Sequence, residues 1–144
     1  MDIRANVVHA TATAAQYADL AERYATDTPV EAGDVVMLGG IEEITKCEEA
    51  VSDAVFGVVS SSPAYLMNSE AGNNDTHPAI ALTGRVPVKV RGTGKAGDRI
   101  VSAGSGEARV AAEDEATTFN TLGRLIKDKY NEETALTECV IGVK

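Results

Sequence analysis

The sequence predicts a mainly β domain, a small barrel or sandwich with an internal pseudo-duplication, and three observations carry that reading. Aromatic residues make up only 4% of the chain and tryptophan is absent, so a core must be assembled from Val, Ala, Ile and Leu, which favours strands. Short β-branched runs are punctuated by turns at Gly39-Gly40, Gly92 to Gly97 and Gly104 to Gly106, the spacing of a small barrel or sandwich. Turn and strand pieces also recur in one order along the chain. At 144 residues the length suits a single domain with a substantial core.

The recurrence begins with "EAGDVVMLGG" from Glu31 and "KAGDRIVSAG" from Lys95, where Gly and Asp turn the chain into a β-branched run. Gly57 in "VFGVVS" and Gly123 in "TLGRLI" follow their turns at similar distances, and "ALTGRVPVKV" from Ala81 resembles "ALTECVIGVK" from Ala135. The three offsets are 64, 66 and 54, so the shorter last one places an insertion in the first copy, between about Ser60 and Pro78.

The strands expected in order are Val35 to Leu38, Ile44 to Cys47, Val55 to Ser60, Ala79 to Val90, Arg99 to Ser102, Ala108 to Ala111, Leu122 to Lys127 and Thr137 to Val143. Within "GRVPVKV", Val86, Val88 and Val90 face one way and Arg85, Pro87 and Lys89 the other. Proline cannot donate to a ladder, so Pro87 belongs at an edge or bulge. Residues 31–144 are thus the β domain, and residues 1–30 an extended or short-helical N-terminal arm. In that arm Thr13 to Ala25 carries Tyr17, Leu20, Ala21 and Tyr24 at helical spacing, an apolar stripe that needs a partner. "TTFNTLGRLIKDKYN" also looks helical, with a capping-type threonine, but Gly123 and the repeat favour a strand.

Net charge is -9, a field that repels phosphate backbones and anionic headgroups, so neither nucleic acid nor membrane is expected as a partner. No apolar run approaches the roughly 20 residues that span a bilayer, and "MDIRANVVHA" lacks a signal peptide's features, so synthesis in the cytoplasm is expected. His9 and His77 have no ligand-spaced neighbours, and Cys47 and Cys139 read as buried free thiols, so no metal and no cofactor is expected. The serines at 60 to 62 form no nucleophile elbow, "GTGKAGD" is not a phosphate-binding loop, and the acidic pairs read as solvated loop charges. No enzyme activity is expected.

Taken together, "ATAAQYADLAERYATDTPVEAGDVVMLGG", "VFGVVSSSPAYLMN" and "ALTGRVPVKVRGTGKAGDRIVSAG" resemble a β domain of tailed-bacteriophage virion proteins, carried at the ends of tail-fibre, head-fibre and appendage proteins and also as stand-alone capsid proteins. The resemblance covers about Ala10 to Ala111. It implies a structural protein that assembles, typically as a homotrimer; some relatives with a similar Tyr-Ala-Glu segment act as self-cleaving chaperones at fibre tips. No fibre precedes the domain in this sequence, so the expectation is a capsid decoration (cement) protein. It would sit on the outside of a phage head, against the major capsid protein. The alternatives are a fibre or appendage tip module for the host surface, or a self-cleaving fibre chaperone domain. Expected interface residues are Tyr17, Leu20 and Tyr24 of the arm and Pro63, Tyr65, Leu66 and Met67 of the insertion, either covered by partners or packed on their own barrel.

Overall fold

A computed structural model describes residues 18–144. Among the described residues every regular element is a strand: β1 (Asp19–Arg23), β2 (Val35–Leu38), β3 (Ile44–Lys46), β4 (Val55–Val59), β5 (Tyr65–Met67), β6 (Ala79–Arg91), β7 (Arg99–Gly104), β8 (Glu107–Val110), β9 (Gly123–Leu125) and β10 (Ala135–Ile141). The mainly β expectation holds, and eight of these ten lie where the sequence places strands. The helical option for Thr13 to Ala25 is corrected over its described part, because Asp19–Arg23 is a strand; Tyr17 lies outside the described residues.

Five strands close a barrel. β6 pairs with β8 in parallel, and the antiparallel pairs β8 with β7, β7 with β9, β9 with β10 and β10 with β6 complete the circuit. Alternation fills its interior: Val86, Val88 and Val90 of β6 are buried with Ile100, Ala108, Leu125, Cys139 and Ile141. β6 is long enough to serve a second layer, its N-terminal half pairing with β4 and β1, while β4 continues the sheet through β2 to β3. Neighbouring residues of β2, β4 and β6 divide between two cores. Val35, Val58 and Ala81 join the barrel interior; Val36, Val59 and Ile80 pack with Ile44, Tyr24 and Phe56 on the other face. Cys47 and Cys139 are both free and buried, and burial pushes the Cys139 thiol up to about 12.

The duplication is visible as matching register. Gly33 and Gly97 hold φ of 91° and 96°, a region open to glycine, in turns closed by Asp34 N–H donating to Glu31 O at 3.0 Å and Asp98 N–H to Lys95 O at 2.9 Å. In each turn the aspartate carboxylate also accepts from the first residue's N–H, at 2.8 Å from Glu31 and 2.9 Å from Lys95. Val36 then pairs with Gly57, and Ile100 with Gly123. Gly33 N–H donates to Val59 O at 2.9 Å, Gly97 N–H to Leu125 O at 2.8 Å. One correction applies to the sequence alignment of the copies. With Gly57 matched to Gly123, Val58 corresponds to Arg124; Val58 pairs with Ala81 and Arg124 with Val140, so the partner of Ala81 is Val140 rather than Ala135. The connection in the first unit is residues 60–78 and in the second residues 126–134, so the insertion lies where the offsets place it.

Pro87 sits inside the longest strand without breaking it. Lys89 N–H donates to Gly33 O at 3.0 Å rather than to β10, and Pro87, two residues earlier, turns its nitrogen to the same side, away from β10. Along that edge β4 has ended at Ile80 and Ala81 and β8 begins only at Val90, so no strand needs a donor from Pro87.

Candidate interaction surface

The insertion folds back on β1 as an added strand. β5 runs parallel to β1 with Leu20 beside Tyr65, Ala21 beside Leu66 and Glu22 beside Met67. Among the described residues β5 pairs with β1 alone, and no other described strand pairs with its outer backbone edge. Arg23 fixes the rest of the loop: its Nε donates to Ser69 O at 3.1 Å and its Nη1 to Asn74 Oδ1 at 2.8 Å and His77 O at 2.7 Å. Ala64 N–H donates to Asp19 O at 3.0 Å, and the Asn73 side chain closes a turn by accepting from Asp75 and Thr76 N–H. These bonds set the segment in place before any partner arrives.

The expected interface residues divide. Leu20, Pro63, Leu66 and Met67 are half-buried along this edge, and the Tyr65 side chain stands out at 64% exposure. Tyr24 turns inward instead: its ring meets Phe56 edge to face at 5.0 Å and its hydroxyl donates to Glu22 Oε1 at 2.8 Å. Burial, then Glu22, raises the Tyr24 phenol to about 12.

Sequence reasoning passed over other exposed apolar side chains, namely Ile41, Phe119, Tyr130 and Leu136. Phe119 borders a cavity of about 130 Å³ beside Phe56, Leu82 and Ile141. Tyr130 is displayed on a loop held from beneath by buried Lys129, whose Nζ donates to Gly92 O at 2.8 Å and Asn131 O at 2.7 Å and also to Glu133 O. For Ile41, Phe119 and Tyr130 a lone apolar residue in a polar turn is the sequence signal, whereas Leu136 lies in β10. Some charges are paired: Lys89 bridges Glu31 and buried Asp34 at 2.6 and 2.7 Å, and Arg109 holds Glu115 at 2.8 Å, which with Ala112 N–H lowers that carboxyl to about 2. Among the described residues no three His, Cys, Asp or Glu side chains gather as metal ligands, and no helix is long and apolar enough to cross a membrane.

A five-strand barrel that lends one long strand to a second layer, with a strand added at its edge, is a specific arrangement. It has solved counterparts. The fold is similar to that of bacteriophage phi29 gene product 12. The crystal structure of the gene product 12 C-terminal fragment superposes with a TM-score of 0.59 at 16% identity, covering 88% of this chain and 100% of that one. The pre-mature gene product 12 gives 0.60 at 15% identity, again over 88% of this chain but only 21% of its own length. No family model matches the sequence, and no curated protein matches it. The likeness to gene product 12 is therefore one of fold.

Proposed function

We propose that this chain is a structural domain of a tailed-phage virion whose work is adhesion: it assembles with copies of itself, as a homotrimer, and decorates the outside of the capsid against the major capsid protein. The observation that carries the reading is the outer edge of β5, unpaired among the described residues and with Tyr65 exposed upon it, on a fold shared with a phage protein. An unpaired strand edge beside aromatic and thioether side chains is the composition that interfaces bury. No chemistry is required, because a ligand that binds the assembled shell and not its dissociated subunits stabilises it by mass action, and several contacts per oligomer multiply the effect. Net charge of -9 suits a surface turned away from packaged DNA.

A second reading has its own support. The matched part of gene product 12 is its C-terminal fragment, which favours the terminal module of an appendage that meets the host surface. Incubating labelled protein with undecorated heads and with host cells separates the two. The decoration reading expects saturable binding to heads and none to cells, together with a raised temperature of head disruption. Binding to cells alone overturns it in favour of the appendage module.

A further inference from the structure

Asp19 is a buried charge whose carboxylate is only partly satisfied. It is 2% exposed, yet its Oδ2 has no hydrogen-bond partner. A buried carboxylate with one oxygen unpartnered is costly unless it is protonated, hydrated or neutralised by a cation. It lines a cavity of about 260 Å³ together with Ser60, Ser61 and Ser62, leaving β4, Val86 and Pro87, from β6, and Glu138, from β10. The strand register makes this cavity: Asp19 is held opposite Gly84, where a Cβ would crowd the Ala18 and Asp19 backbone, so the side chain is fixed by the sheet. Burial raises the Asp19 pKa, and the Ser60 hydroxyl lowers it in part.

The ionisable and hydroxyl side chains that line the cavity offer oxygen: two carboxylates and three hydroxyls, with no imidazole or thiol among them. Arg85 takes one oxygen of Glu138 at 3.0 Å, leaving the site with a net negative charge. Oxygen-only donor sets select hard cations, and calcium accepts irregular shells completed by water where magnesium demands a near-ideal octahedron. We infer that the Asp19 cavity binds a calcium ion, held by Asp19 Oδ2, Glu138 and the Ser60 to Ser62 hydroxyls with water filling the remaining positions. The ion would tie β1, the start of the insertion and β10 together beneath the β5 edge. This inference stands apart from the adhesion proposal, since it concerns binding by a single chain.

The test is equilibrium dialysis of chelator-treated protein against radioactive calcium, with thermal unfolding in parallel. One calcium per chain is expected, with the midpoint raised by about 9 °C at a hundredfold excess over Kd for a chain of this length. Sodium chloride at matched ionic strength should leave the midpoint near its starting value. Asp19→Asn should abolish binding while unfolding, in chelator, no earlier than the natural chain, since it removes an unpaired buried charge. Glu138→Gln should weaken binding severalfold, since calcium affinity follows the number of ligating charges, and serves if Asp19→Asn fails to fold. No retained calcium, equal binding by Asp19→Asn or, in its place, by Glu138→Gln, or an equal effect of sodium would overturn the assignment.

Discussion

Gly57 and Gly123 hold equivalent places in the two units, and replacing either by alanine tests the fold at its tightest point. A Cβ on Gly123 would overlap Val140 O and lie 2.7 Å from Ile141 Cα and 3.0 Å from Val140 C, where ordinary contact begins at 3.4 Å. Those neighbours are backbone of β10 and have no rotamer by which to yield. Relief of the Ile141 contact alone requires β9 and β10 to part by at least roughly 0.7 Å, which stretches the adjoining Ile126 N–H to Glu138 O bond from 3.0 Å beyond hydrogen-bond range. One lost bond costs about 1 kcal/mol and overpacking a further 1–3, so Gly123→Ala should destabilise by about 3 kcal/mol. For 144 residues that lowers the melting midpoint by about 10 °C. Gly57→Ala should behave alike, since its Cβ overlaps Ala81 O and meets Ile80 Cγ2 at 2.7 Å. Gly39 is the contrast: nothing lies within 4 Å, and only its φ of 119° resists a side chain, for about 1 kcal/mol. Calorimetry or urea unfolding of the three variants decides the matter. If Gly57→Ala and Gly123→Ala cost no more than Gly39→Ala, the close approach of the paired strands in both units is refuted.

Two further outcomes follow from ionisation. The Glu115 carboxyl titrates at about 2 in the folded chain against a usual 4.5, so its pairing with Arg109 contributes stability that is present above pH 4.5 and is lost as pH falls from there toward 2. Unfolding midpoints of the natural chain and Glu115→Gln should accordingly converge across that window; curves that stay parallel would contradict the pairing. Cys139, raised to about 12, should resist a thiol reagent at pH 8 in the native protein and react at once when denaturant is added, a difference read from the absorbance of the released chromophore.

How much of this was legible in the sequence depends on where each element draws its stability. Val35 to Leu38 and Arg99 to Gly104 are announced by a turn whose glycine and aspartate have one use, and by β-branched residues that suit a strand whatever it pairs with. Asp19–Arg23 gives the opposite signal, because Ala, Leu, Glu and Arg favour a helix. Pairing with β6 on one side and β5 on the other overrides that preference, and the segment buries Ala21 as a strand residue. β5 is three residues long, too short to show alternation, so its place could be inferred only as an insertion. The helical look of "TTFNTLGRLI" has a local cause: Thr117 Oγ1 accepts from Phe119 and Asn120 N–H, and Thr121 N–H donates to Thr117 O, one helical turn before Gly123 enters β9. Of the interface side chains, the exposure of Tyr65 and the inward turn of Tyr24 depend on contacts with residues more than 30 positions away, such as Phe56. The Asp19 cavity draws on β1, β6, β10 and the end of β4, and no stretch of sequence shows it.

The claim that matters most is that the β5 edge is a surface where copies meet. Light scattering on the purified chain and on Tyr65→Ser measures this directly. The account expects a mass near three times 15.0 kDa for the natural chain, and dissociation toward 15.0 kDa for Tyr65→Ser with its fold intact. A natural chain that stays at 15.0 kDa at every concentration, or a trimer indifferent to Tyr65, would contradict it.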